Sequence, residues 1–176
     1  MSAMIKVLFV CLGNICRSPA AEVALRALVA RRGLDGRVGV DSAATSSMQV
    51  GRPPDPRAQA VGKRRGLDLA GLRARQIRQT DFDRFDHILA MDRANLADLR
   101  TVCPSGRADR LGLFLDRAGY AGDCEVPDPY FERGLESFER MFALIETGSD
   151  RLLNWLRRRH PEAFAAPAPV AGNGQT

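Results

Sequence analysis

The run Met4-Ile5-Lys6-Val7-Leu8-Phe9-Val10-Cys11-Leu12-Gly13-Asn14-Ile15-Cys16-Arg17-Ser18-Pro19 packs a strand, a tight loop and a helix start into one short stretch. Met4 to Val10 is almost wholly apolar and reads as a strand buried on both faces. Gly13 permits a close backbone approach or a positive φ, and Asn14 is among the few other residues that tolerate the left-handed region. Ser18-Pro19 reads as helix cap and first helical residue. A phosphate dianion suits this geometry: successive loop N–H groups converge on its oxygens, and the helix dipole adds positive potential. Arg17, at Cys-x5-Arg spacing from Cys11, can hold two oxygens with its planar fork. The same field favours the thiolate form of Cys11, the reactive form. A cysteine at a strand end is more often an inert core residue, but an inert core leaves Gly13, Asn14, Arg17 and Ser18 unexplained.

Outward from this stretch, apolar periodicity alternates between strand and helix. Ser18 to about Arg32 reads as a helix, with Ala21, Ala24, Leu25, Leu28 and Val29 on one stripe and Gly33 at its end. Arg37 to Ala43, His87 to Met91 and Leu111 to Leu115 are the further strands. Asp55-Pro56 opens a helix to about Arg65, and Thr80-Asp81-Phe82-Asp83 has the form of a capping box. Asp92 caps a helix running to about Thr101. Leu135 to about Arg159 keeps helical phase across Gly148, as one helix or two nearly collinear ones. This alternation predicts an α/β fold: a single three-layer domain over residues 1–164, with a four-stranded parallel sheet, helices on both faces and the phosphate loop after the first strand. Ligands of such sheets bind beyond the carboxyl ends of the strands, where the Cys11 loop falls. The tail 165–176, rich in Ala, Pro and Gly, is expected to be disordered.

Composition narrows the function. The chain has 176 residues and a net charge of +5, with four cysteines and two histidines. No run has membrane-spanning length and no signal peptide is evident. The cysteine spacing matches neither a disulfide scaffold nor a zinc site, so a reducing cytoplasm is expected and no metal ligands are assigned. Arginine clusters such as Lys63-Arg64-Arg65 and Arg157-Arg158-Arg159 carry much of the charge, but aromatic residues do not interleave with them. Nucleic-acid and membrane partners are therefore not expected; a monomer is the expectation, though composition does not decide oligomeric state.

Expelling an alkoxide or phenoxide from phosphorus benefits from a proton donor. Val126-Pro127-Asp128-Pro129-Tyr130-Phe131 offers one carboxyl group between two stiffening prolines, beside two aromatics. Asp-Pro alone is an ordinary turn dipeptide; with Cys-x5-Arg present, Asp128 becomes the candidate acid.

Val10 to Pro19 together with Asp128-Pro129-Tyr130 resembles the low-molecular-weight protein tyrosine phosphatase family. The likeness extends through Asp41-Ser42-Ala43, Gly51-Arg52-Pro53-Pro54-Asp55-Pro56-Arg57-Ala58, Ala74-Arg75-Gln76 and Met91-Asp92. The resemblance implies a phosphatase acting on phosphotyrosine proteins and small aryl phosphates, with no cofactor or metal. Cys11 would be the nucleophile forming a phosphocysteine, Arg17 would bind the transferring group, and Asp128 would serve as acid and then base. Leu12, Gly13, Asn14, Ile15, Cys16 and Ser18 would line the phosphate loop, with Met48 and Tyr130 as walls for the ring. Ser42, with Asn14 and Ser18, would brace the loop. Ile15 stands where phosphoarginine enzymes of the family carry Thr. Three departures stand out: Met48-Gln49 replaces an aromatic residue and a His, Ala44 replaces a Gly, and Leu72 replaces a His of the loop-bracing network. Two other readings share the loop. A thioredoxin-coupled arsenate reductase needs two further relay cysteines close together, whereas Cys103 and Cys124 are far apart. A non-catalytic phosphate-binding module has no use for Asp128.

Overall fold

The computed structural model describes residues 4–165. The first strand, β1, spans Ile5–Cys11, and helix α1 follows over Arg17–Arg31. Strand β2 is Val38–Ala44, helix α2 Pro56–Arg64, helix α3 Asp81–Arg84 and strand β3 His87–Ala90. Helix α4 covers Arg93–Val102; a 3-10 turn at Ala108–Arg110 leads to strand β4, Leu111–Leu113, and helix α5, Phe114–Arg117. Helix α6 runs unbroken over Glu136–Arg159 and a short helix α7, Pro161–Phe164, ends the described chain. The expected tail lies, from residue 166 onward, outside the described residues.

All strand pairs are parallel, in the order β2-β1-β3-β4. The order reverses at β1, whose neighbours follow it on opposite sides. The crevice of a doubly wound sheet opens at such a point, and the Cys11 loop sits there. Side chains of β1 alternate between two cores, as the two-residue period of a strand requires. Val7, Phe9 and Cys11 join the core under α1, α5 and α6, whereas Leu8 and Val10 join Phe82, Leu96 and Leu99 under α3 and α4. Phe9 meets Phe114 edge-on, with centroids 5.0 Å apart. Three layers result, as the alternation of elements implied.

Several boundaries differ from the sequence reading. Helix α1 starts at Arg17, not after Ser18, because the Ser18 hydroxyl is turned inward to Cys11 and Asn14 instead of capping. Asp55 and Asp92 do cap their helices, accepting from Arg57 N and Asn95 N. Thr80 makes no side-chain cap; its backbone is already helical, and Asp83 N bonds its carbonyl. The strand expected to reach Leu115 stops at Leu113, where Phe114 and Leu115 roll into α5 to pack beneath α6.

Candidate active site

The loop between β1 and α1 wraps around the Cys11 sulfur. Asn14 alone among described non-glycine residues has a positive φ, 57°, so the left-handed step falls on Asn14 and not on Gly13. Gly13 serves close approach: a Cβ there would lie 3.3 Å from Gln49 Cγ. The turn at Asn14 points its N–H at Cys11 Sγ, 3.3 Å away. Ser18 Oγ stands 3.0 Å from the same sulfur. No side chain caps α1, so the first-turn amides are left for an anion.

Behind the loop a buried chain of polar groups fixes its shape. Asn14 Nδ2 donates to Ser18 Oγ (2.8 Å) and Ser42 Oγ (2.9 Å), and Asn14 Oδ1 accepts from Arg75 N (3.0 Å). Ser42 Oγ donates to Glu22, a buried carboxylate also paired with Arg26. Burial pushes the Glu22 carboxyl above its ordinary range, against the pull of Ser42 and Arg26. Leu72 takes no part in this network; it packs half-buried on the core, while Glu22, Ser42 and the Arg75 backbone complete the brace without a histidine. Ala44 is buried, its N–H donating to Arg75 O and its carbonyl accepting from Ile77 N.

Arg17 is 2% exposed. Its Nη1 donates to Asp92 Oδ2 (2.6 Å) and Val126 O (3.1 Å), and its Nη2 to Asp128 Oδ2 (3.2 Å). Its Nε has no protein partner. Burial works against the guanidinium charge, but Cys11, Asp92 and Asp128 outweigh it and hold the group protonated. Asp128 Oδ1 accepts from Tyr130 N (3.2 Å), which turns the carboxyl toward the loop. Burial, reinforced by Asp55, Cys11 and Asp128, pushes the Cys16 thiol far above its ordinary range, so it stays protonated beside Cys11.

A pocket opens over the loop. Cys11, Leu12, Gly13, Ile15, Cys16 and Arg17 form its floor, and Met48, Gln49, Asp128, Tyr130 and Phe131 its walls. Of the residues assigned to substrate from sequence, the side chains of Asn14 and Ser18 instead lie buried behind the loop. Met48 is 71% exposed and Phe131 86% exposed at the rim. Cys103 and Cys124 are not among the lining residues. Sequence reasoning missed the hold of Asp92 on Arg17 and the brace through Glu22; Glu22 in the middle of an apolar helical stripe was the signal available for the second.

Fold and site together define a class: α/β enzymes of phosphoryl transfer that carry a cysteine nucleophile and an arginine in one anion-binding loop. The chain belongs to the low molecular weight phosphotyrosine protein phosphatase family, whose model matches residues 6–162. It is 41% identical over 150 residues to the low molecular weight protein-tyrosine-phosphatase YfkJ of Bacillus subtilis, covering 85% of this chain and 94% of that protein. Among solved structures, it resembles a protein tyrosine phosphatase from Entamoeba histolytica with Hepes in its active site. The TM-score is 0.83 at 36% identity, over 88% of this chain and 98% of that one. A Drosophila arginine phosphatase is similar too, with a TM-score of 0.79 at 37% identity, over 85% of this chain and 96% of that one.

Proposed function

We propose that the protein hydrolyses phosphotyrosine in proteins, and small aryl phosphates, in two steps through a phosphocysteine at Cys11. One observation carries the reading: Arg17 lines the pocket with Cys11 and is held through Nη1 by Asp92 and Val126, while on its Nε–Nη2 edge Nε has no protein partner and Nη2 meets Asp128. That edge supplies two parallel donors for two phosphoryl oxygens, and loop amides serve the third. The Cys11 sulfur attacks phosphorus as thiolate while Asp128 gives its proton to the departing phenolic oxygen, so the P–O bond breaks as the S–P bond forms. Asp128 then takes a proton from water, the water oxygen attacks phosphorus, and Cys11 leaves as thiolate, eased by the Ser18 hydroxyl and Asn14 N–H. The charge stabilisation comes from Arg17 and backbone dipoles held in place beforehand.

The walls support an aromatic substrate. Tyr130, Phe131 and Met48 can flank a flat ring, and Ile15 adds an apolar floor with no group for a polar guanidinium. The similarity to an arginine phosphatase makes phosphoarginine the second reading to weigh. An arsenate-reductase relay is disfavoured by the absence of Cys103 and Cys124 from the pocket lining.

Several arginines of the basic clusters are engaged in ion pairs, Arg32 with Asp150, Arg65 with Glu139 and Glu146, and Arg75 with Asp41 and Asp81, which favours a small anion over nucleic acid as ligand. All four cysteines are free, in keeping with a reducing compartment. Among the described residues no helix is long and apolar enough to cross a membrane. We read the protein as a cytoplasmic monomer. The test is kcat/KM on matched phosphotyrosine, phosphoserine and phosphoarginine peptides, with arsenate reduction assayed in parallel. Preference for phosphotyrosine is expected; preference for phosphoarginine, or reduction of arsenate, would replace this reading.

A further inference from the structure

Arg57 does not line the pocket, yet its guanidinium joins the two loops that do. Nε donates to Asp55 Oδ1 (3.0 Å) and Nη2 to Asp55 Oδ2 (2.8 Å), a two-pronged grip. Nη2 also donates to Tyr130 O (3.0 Å), and Nη1 to Glu132 O (3.0 Å). The cation lies over the Phe138 ring, 4.7 Å from its centroid, and 5.8 Å from that of Tyr130. Asp55 is itself fastened to the nucleophile loop, its N–H donating to Ile15 O (2.8 Å). Burial opposes the Asp55 charge, but Arg57 outweighs it and holds the carboxyl below its ordinary range. A continuous path therefore runs from Ile15 through Asp55 and Arg57 to the Tyr130 carbonyl. The N–H of the same residue, across its Cα, donates to Asp128 Oδ1.

We infer that Arg57 is a positioning residue for proton transfer: by anchoring the Tyr130 carbonyl, one Cα away from the Tyr130 N–H that Asp128 accepts from, it fixes the backbone on which Asp128 is held relative to the Cys11 loop. This rests on the reading of Asp128 as general acid. A solvated surface arginine would not have its fork shared among a carboxylate and two carbonyls of another loop. The demand is for planar, divergent donors, which a lysine ammonium on a flexible stem does not meet. A proton donor displaced by even an ångström loses much of its effect. The consequence is specific to the proton: formation of phosphocysteine from a poor leaving group suffers, while the nucleophile does not.

The experiment measures kcat/KM over aryl phosphates from p-nitrophenyl to phenyl for wild type, Asp128→Asn, Arg57→Met, Arg57→Lys and the Asp128→Asn/Arg57→Met double variant. The pH dependence of Cys11 alkylation by iodoacetate is followed alongside. Arg57→Met is expected to lose about 10- to 100-fold on phenyl phosphate, part of the ~10²–10⁴ a proton donor supplies, and under about threefold on p-nitrophenyl phosphate. Arg57→Lys should recover little of this, the double variant should be no worse than Asp128→Asn, and the alkylation profile should match wild type. A loss equal across leaving groups, an additive double variant or full recovery by lysine overturns the positioning role. A flat leaving-group profile for Asp128→Asn overturns the general-acid reading itself, and with it this proposal. Should Arg57→Met fail to fold, Asp55→Asn, which can still cap α2 but weakens the grip on the guanidinium, carries the same test. It should show a smaller loss confined to poor leaving groups, and a uniform loss or none counts against the role.

Discussion

Burying a guanidinium is costly unless nearly every donor is met, and Arg17 shows which are met and which are left for chemistry. Asp92 does two jobs with its two oxygens: Oδ1 caps α4 at Asn95 N (2.7 Å), and Oδ2 holds Arg17 Nη1. Asp92→Asn keeps a cap-competent side chain but removes the charge. It is expected to lower kcat/KM for p-nitrophenyl phosphate by about 10- to 100-fold, less than a fully buried charge pair broken at one partner costs, because Asp92 is partly exposed and an amide oxygen can still accept from Nη1. A change under about twofold in steady-state kinetics would show that Arg17 needs no anchor. Asp128→Asn is expected to lower kcat/KM by about 10²–10⁴ for poor leaving groups and far less for activated aryl phosphates; a loss independent of leaving-group pKa would remove Asp128 from the proton-donor role. Cys11 and Arg17 could be proposed from sequence because they share one short loop; Asp128, 111 residues from Arg17, could be proposed only as a carboxyl between two prolines once that loop was read. The hold of Asp92 on Arg17 could not be read. Its cap signal is local, whereas its second partner lies 75 residues away and meets it only after the sheet forms.

At the scale of elements, local signals succeeded where no long-range partner competed. Asp55-Pro56 and Asp92 capped as expected. Ser18 and Thr80 carry the same kind of signal and did not cap, because the Ser18 hydroxyl is claimed by the nucleophile brace and the Thr80 backbone is already helical, with Asp83 N bonded to the Thr80 carbonyl. The end of β4 was likewise set by packing, with Phe114 and Leu115 drawn under α6. Helix α6 tests that packing at Gly148. A Cβ there would lie 2.7 Å from Leu115 Cδ2 and 2.8 Å from Phe114 Cζ. Gly148→Ala gains about 1 kcal/mol of helix propensity but forces overpacking worth about 1–3 kcal/mol. Urea denaturation should therefore show a net loss of stability with kcat/KM unchanged. A more stable variant would mean that α5 yields easily and that glycine is not required for its fit.

Across the whole molecule, the two ends of the sheet do different work. The carboxyl end carries the catalytic loop; the opposite end carries a lock between sheet and C-terminal helix. His87, opening β3, meets His160 at the end of α6, with Nε2 atoms 2.8 Å apart, and Trp155 packs edge-on to His87. Burial first, then His160 and Arg117, lowers the His87 pKa from 6.5 to about 4, with Asp86 opposing and Arg159 adding a little. The unfolded chain therefore binds more protons than the folded one between these values. Stability is whole above the ordinary histidine value and falls as the pH drops through the interval toward 4. Urea unfolding between pH 7 and pH 5 should show this loss in wild type and a shallower slope in His87→Gln; equal slopes would dissociate His87 from the effect. The parallel sheet and three layers were legible because hydrophobic period and strand–helix alternation are global and redundant. The His87–His160 lock was not, since each histidine alone looks like any half-buried one. In the proposed reaction the phosphoryl group passes through the Cys11 sulfur. Rapid acid quench of the enzyme during turnover of p-nitrophenyl phosphate, followed by mass spectrometry, tests it directly. One phosphoryl group on the peptide containing Cys11, absent from Cys11→Ser, is the predicted result; turnover with no phosphorylated cysteine, or undiminished activity in Cys11→Ser, would contradict it.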